Sequence, residues 1–456
     1  MLPHRLDFHP ERDSDLFASV PAAPAVFLLR GRDPEAEPYV SKTANLRRRL
    51  IRLLGHSDER TRKLNLRERV ATIEYAPTGS DFESGFVLYK TLREVFPKTY
   101  QDRLRLRGAP LARYRLENRY PRVSITTHIS GSKSAYYGPF PSRAAAEKFA
   151  NDSLDFFKIR RCVEELNPDP KFPGCVYSEM KMCLAPCFQG CTDEQYSDEV
   201  ARVESYFDSR GQSLVREISA ARDKASADLE FETAASLHTQ LEKLKPVLSQ
   251  LPEIVHRLDR LDALMIQPSS QPNAVMFFRI HAACLSDPIT FPLPGMLGSS
   301  PHSGASQSAA KEAPAAIENR QSTSGNAVDL RIVGPGASPG QPSVSPEIPA
   351  AAAALGRGKS HSMESRVLEV LGQPGAAPTY SRQETAEHLA ILKRWFYRTS
   401  KVGEIFFADE NGDLPMRRIV RGISRVFRGE KPAADLSETA RDYWINRGRE
   451  AELGDQ

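Results

Sequence analysis

The sequence predicts a multidomain protein with mixed α/β and all-α parts. It should hold a small α/β domain, a cysteine-rich metal-bound segment, a helical hairpin, a disordered linker and a small C-terminal α+β module. Three observations carry this expectation. Short strand-like and helical runs alternate between residues 24 and 95. A helical pattern then runs almost unbroken from Asp193 to about Leu251. Met296 to Ser362 is dominated by Ser, Ala, Pro and Gly, with few aromatic residues and no amphipathic period. The chain has 456 residues, so length suggests about two to four domains. It is 40% hydrophobic, enough for real cores.

The elements follow in order. Pro24 to Arg30 reads as a short buried strand, and Tyr39 with Val40 as a second. A basic helix should start near Ala44 or Asn45, whose side chain can cap it. Ala71 to Tyr75 forms a third strand, and Phe82 to Val95 has helical periodicity and stops before Pro97. A strand at Arg122 to His128, a tight turn at Gly138-Pro139 and a helix from Ser142 to about Phe157 come next. Asp193 to Leu251 is expected to fold as an antiparallel helical hairpin. Ala274 to Ile280 is strand-like, Thr385 to Arg398 helical, and Gly403 to Phe407 strand-like. Arg417, Arg418, Arg421, Arg425 and Arg428 form a second basic stretch.

Net charge is only +4, so the distribution matters more than the total. Between Asn45 and Val70 lie nine Arg or Lys residues, among them Arg47, Arg48, Arg49 and Arg52, against three acids. That surplus suits a polyanion such as nucleic acid, and a solvated helix face is the other reading. Met1 to Pro24 is acidic and lacks a basic region followed by an apolar stretch, so no signal peptide is expected. No run of ~18 apolar residues occurs, so no membrane span is expected. A cytoplasmic protein follows. That compartment is reducing, and the cysteines need a reason other than disulfides.

Cys162, Cys175, Cys183 and Cys187 are spaced C-x12-C-x7-C-x3-C, and Cys191 adds another C-x3-C step. Four thiolates complete either a tetrahedral zinc site or an iron–sulfur cluster, and spacing alone leaves both open. Cys284 stands apart as an ordinary buried residue.

Phe156 to Cys162, Pro173-Gly174-Cys175 and Lys181 to Cys187 closely resemble the cysteine region of the UvrC family of bacterial excision nucleases. Tyr136 to Pro141 matches a further stretch typical of that family. The resemblance implies an iron–sulfur cluster, [4Fe-4S], on Cys162, Cys175, Cys183 and Cys187. Working back, residues 24 to 107 resemble the GIY-YIG nuclease domain. Tyr39, Lys42 and Arg49 match family catalytic positions. The family's metal-binding glutamate falls on Tyr89, its first tyrosine on Phe27, its glycines on Ala25 and Ser41, and its late asparagine on Gln101. The resemblance therefore implies a degenerate site, which would use Mg²⁺ or Mn²⁺ only if active. Glu83, two turns before Tyr89 on the same helix, is the carboxylate that could replace it as a metal ligand.

Leu229 to Leu241 resembles the UVR motif, through which UvrC pairs with UvrB. Phe231, Ala234, Ala235, Leu237 and Leu241 would carry that contact, and an intramolecular hairpin is the competing reading. The RNase H-like and helix-hairpin-helix parts of UvrC have no counterpart in the sequence. Glu387 to Trp395 and Gly403 to Phe407 are similar to the tail of UvrC-like proteins fused to a proofreading-type exonuclease. His388 and Trp395 there are expected to pack rather than ligate.

The expected layout is an extension (1–22), a GIY-YIG-like domain (23–108), a connector with the cysteines (109–192) and a UVR hairpin (193–252). A β-rich segment (253–295), a linker (296–362), a C-terminal module (363–432) and a tail (433–456) follow. The expected function is DNA binding in nucleotide excision repair without GIY-YIG cleavage, with DNA and a UvrB-like protein as partners. A singly nicking endonuclease and a protein-interaction adaptor are the alternatives. Salt-sensitive DNA binding separates the adaptor from the others.

Overall fold

The computed structural model describes residues 2–33, 35–56, 64–131, 133–293, 362–372 and 380–431. The linker read at 296–362, apart from Ser362, the tail at 433–456, and Arg60, Arg62 and Lys63 lie outside them.

The N-terminal unit is a four-stranded antiparallel sheet. Its strands are β1 (His4–Asp7), β2 (Ala25–Gly31), β3 (Tyr39–Thr43) and β4 (Val70–Pro77), in the order β1-β4-β2-β3. Helices α1 (Asp13–Ser19), α2 (Leu46–Leu54), α3 (Asp81–Val95) and the short α4 (Tyr100–Leu104) surround it. Sequence explains α2 directly. Asn45 caps it by accepting from the Arg48 N–H, and Leu46, Leu50, Leu53 and Leu54 bury one stripe.

A second antiparallel sheet has the order β6-β5-β7-β8, from β5 (Leu111–Arg115), β6 (Val123–Thr126), β7 (Ser134–Gly138) and β8 (His256–Arg257). Helix α5 (Arg143–Leu154) packs on it. A loop-rich stretch with the one-turn α6 (Val176–Glu179) holds the five clustered cysteines.

Asp193 to Leu251 is three helices rather than two. They are α7 (Asp193–Asp208), α8 (Gln212–Ala227) and α9 (Phe231–Ser249). The chain breaks at Arg210 and Gly211, with φ of 52° and 88°. Gly211 favours that left-handed turn, which interrupts a run that reads as continuous from periodicity. The antiparallel hairpin is α8 with α9.

The third sheet joins segments that are far apart in sequence. β9 (Ala263–Pro268), β10 (Ala274–His281), β11 (Cys284–Leu285) and β12 (Ile289–Pro292) come from the β-rich segment. Helices α10 (Met363–Gly372) and α11 (Arg382–Phe396) precede β13 (Glu404–Phe407), and α12 (Met416–Arg428) ends the described chain. β13 pairs antiparallel with β9, Glu404 opposite Ile266 and Phe407 opposite Ala263. Residues 253–295 and the described part of 363–432, read as separate pieces, therefore form one sheet. α12 seats Ile419, Ile423 and Val426 on one of its faces. The opposite face joins the largest core, with α3, α9 and α11.

Candidate nucleic-acid interface and the covered face beside it

The sequence-predicted basic residues divide by what their guanidinium groups touch. Arg47 donates to the carbonyls of Val20 and Ala18 at 2.8 and 3.1 Å, so it caps the end of α1. Arg49 donates to the Tyr39 hydroxyl at 2.7 Å. Arg48 and Arg52 are exposed and face solvent from α2. Lys42 and Arg398 both bind the carboxylate of Asp81, which ties β3 to the segment after α11. Phe27 is buried in the sheet core, its ring 6.0 Å from that of Tyr39.

Tyr89 and Gln101 lie under α11. The Tyr89 hydroxyl donates to Glu387 Oε2 at 2.7 Å, and Tyr100 and Gln101 donate to Oε1 at 2.6 Å each. Gln383 adds a donor to Oε1 at 3.1 Å. Glu387 is only 4% exposed. Burial pushes its pKa up, but the hydrogen bonds from Tyr100, Gln101, Tyr89 and Gln383 outweigh burial and hold it below the usual value. Burial first, and then the same carboxylate, hold the Tyr89 phenol well above its ordinary pKa. Arg93 closes the edge, pairing with Glu384 at 2.5 Å. A divalent cation at Glu387 would have to displace this ring of hydroxyl and amide hydrogens, so the site does not fit one.

Glu83 is buried in the first turn of α3 and accepts the Gly79 N–H at 2.7 Å. Burial pushes its carboxyl up to about 7, against that hydrogen bond. His388 and Trp395 pack, as expected. His388 Nδ1 accepts from the Leu285 N–H at 3.1 Å and Trp395 Nε1 donates to the Val402 carbonyl at 3.1 Å. Burial lowers the His388 pKa to about 4, so its ring is a neutral acceptor.

Sequence reasoning missed Glu387 as the centre of this network. Periodicity reports which face of α11 is apolar, and a lone acid on that face is the only local signal for a buried acceptor.

The cysteines gather in the loops around α6. The Cys183 thiol is pushed up to about 11, first by burial and then by Cys162, Cys187 and Cys175 beside it. Cys187 likewise lies near Cys175 and Cys162. Among the described residues no three His, Cys, Asp or Glu side chains close around a common point. Four neighbouring thiols are a donor set that suits a soft metal. Cys284 is buried and meets the Thr385 hydroxyl at 3.2 Å.

At the other end, Leu241 of α9 is buried, while Leu237 and Ala234 are half-buried and Ala235 is exposed. Leu229 and Phe231 at the hairpin tip are 71% and 67% exposed, an apolar surface that the hairpin does not cover itself. Among the described residues no helix is long and apolar enough to cross a membrane.

Comparison with known proteins adds the family. Residues 110–206 match the UvrC/Cho excinuclease middle domain, and residues 212–245 the UvrB/uvrC motif. UvrABC system protein C of Idiomarina loihiensis is 27% identical over 217 residues, 45% of this chain and 34% of that protein. That of Ectopseudomonas mendocina is 28% identical over 239 residues, 52% and 39% of the two chains. That of Methanothermobacter thermautotrophicus is 26% identical over 264 residues, 58% and 44%. The chain thus spans between a third and a half of the length of these relatives. No solved structure matches it. With a UvrC-type middle domain running into a UVR motif, the chain is UvrC-like over about half its length.

Proposed function

We propose that this chain is a DNA-binding protein of nucleotide excision repair whose nuclease-like domain holds DNA without cutting it. One observation carries the reading. The position that should supply a metal-binding carboxylate supplies a hydroxyl, Tyr89, and that hydroxyl is spent on Glu387 of α11. Cleavage needs a cation to neutralise charge on the phosphate, and loss of its ligand costs orders of magnitude in rate. Exposed Arg48 and Arg52 supply the phosphate-facing charge. The match to the UVR motif and the apolar hairpin tip support docking of a UvrB-like partner there. A cytoplasmic location belongs to the same reading.

Cys162, Cys175, Cys183 and Cys187 would hold an iron–sulfur cluster, or zinc, bracing the connector against α7. A metal bound this way adds its affinity to folding. Cys183→Ser is expected to lower metal content and melting temperature together, measured by metal analysis and calorimetry on protein purified without oxygen. An unchanged melting temperature would remove the bracing role.

The decisive test of function is a nicking assay with Mg²⁺ or Mn²⁺ on supercoiled and lesion-bearing DNA, with and without UvrB. Salt-sensitive binding without nicking is expected. Nicking that survives repurification and disappears in Arg49→Ala would make the protein a nuclease.

A further inference from the structure

A cavity of about 420 Å³ opens where β3, the start of α3, β9 and the segment after α11 meet. Its volume falls within the ~300–1,000 Å³ of small-ligand sites. Gln267 lines it. Leu264 and Ile266 face the core under α12, while Ala263 and Met265 face the other way, so strand alternation sends Gln267 toward Phe82 and Trp395. Gln267 is 0% exposed, and neither its Oε1 nor its Nε2 has a hydrogen-bond partner. Gly403 lets the amide lie there. Its φ is 87°, and a Cβ would come within 2.3 Å of Gln267 Nε2. Buried amides are nearly always paired, so this one calls for a partner with an adjacent donor and acceptor.

The rest of the lining is cationic. Lys42, Arg398 and Lys401 belong to it, against the single lining acid Asp81, which already joins Lys42 to Arg398. The N-terminus of the 15-residue α3 opens at Ser80 and Asp81 on the same wall. Its first turn also carries Glu83, bonded behind the cavity to Gly79. Helix N-termini and lysine or arginine side chains both favour phosphate. Phe82 and Trp395 add apolar walls.

We propose that this cavity is a nucleotide site, with the Gln267 amide reading the hydrogen-bonding edge of a base and Lys42 and Arg398 holding its phosphate. A base edge offers the adjacent donor and acceptor that the amide lacks, and a Gln side chain pairs bidentately with adenine in this way. The nucleotide comes either free from solution or as an unpaired nucleotide of a DNA strand. The site uses neither Arg48 nor Arg52, so it stands or falls apart from the DNA-holding surface of α2.

The test is isothermal titration of the full chain with dAMP, dGMP, dCMP, TMP and inorganic phosphate. At least one nucleotide should bind, and more tightly than phosphate alone. Gln267→Leu should weaken it about 10- to 100-fold, the discrimination one bidentate pair provides. Arg398→Ala, a half-exposed change that spares the fold, should weaken nucleotide and phosphate alike. Absence of nucleotide binding to the wild type, equal affinity for phosphate, or an undiminished Gln267→Leu protein would each overturn the proposal. If Gln267→Leu fails to fold, Gln267→Glu replaces it. Losing the amide donor should then change which base is preferred, and an unchanged preference would overturn the proposal. A duplex with one unpaired nucleotide, compared with a fully paired one, identifies the source. A preference lost with Gln267 places the nucleotide in the strand, and free-nucleotide binding without that preference places it in solution.

Discussion

Two faces of the N-terminal unit differ in what covers them. Tyr39 and Arg49 bond each other at a partly open surface, and Lys42 reaches Asp81 at the edge. Tyr89 and Tyr100, on α3 and α4, are buried and bound to Glu387 of α11, with the exposed Gln101 adding a third donor. The second face holds a carboxylate that serves as an acceptor for hydroxyl and amide hydrogens. Similar residues can thus serve packing rather than chemistry once a helix from elsewhere in the chain supplies their partner. The first face keeps its polar groups toward water.

The contrast breaks most visibly at Glu387. Glu387→Ala would leave two buried tyrosine hydroxyls without their acceptor. Hydrogen bonds to a charged group are worth roughly 1.5–3 kcal/mol each, so a loss of about 3 kcal/mol or more is expected in urea denaturation. Because the folded pKa of Glu387 is lowered, its contribution is full above the ordinary glutamate pKa of ~4.3 and fades as pH falls through the lower folded value. A destabilisation that persists unchanged at low pH would mean that packing, not the charge, is lost.

Glu83 works in the opposite direction. Its folded pKa is raised to about 7 from 4.5, so stability should fall as pH rises between those values and then level off. Glu83→Gln keeps an acceptor for Gly79 and should flatten that slope, worth on the order of 3 kcal/mol across the window. Melting temperatures from pH 4.5 to 8 for both proteins check this.

These two carboxylates show what is legible in the sequence. The N-terminal strands, the Asn45 cap, the cysteine spacing and the UVR helices all rest on local patterns, which a linear reading can find. Glu387 reaches Tyr89 across 298 residues, and no periodicity carries such a pairing. Gln267 reads as one polar residue in an apolar strand, and only the fold shows that its amide is unpaired. The third helix after Asp193 hinges on Gly211, a residue helices tolerate until its φ is known.

Smaller effects sharpen the open side. Phe231→Ala removes an exposed ring, so it should leave melting temperature within about 0.5 kcal/mol equivalent of wild type. It should weaken a UvrB-like partner by about 1 kcal/mol or more in a pull-down titration if the tip is the docking surface. Replacing Arg48 or Arg52 with Ala should cost least. Each should reduce the slope of log affinity for duplex DNA against log salt by about one. Arg47→Ala should instead lower stability, since its guanidinium holds the carbonyls of Ala18 and Val20.

The pairing of β13 with β9 has a practical consequence. A cut anywhere between residues 293 and 362 would not free a domain, because the downstream fragment carries the strand that completes β9 and the helix that carries Glu387. The halves should stay together through electrophoresis without denaturant and part only in urea. Expressed alone, the upstream half would display a bare β9 edge and uncover Tyr89 and Tyr100, and should self-associate. In genetic terms, a nonsense mutation in that interval would be expected to behave as a loss of the whole protein rather than of its tail.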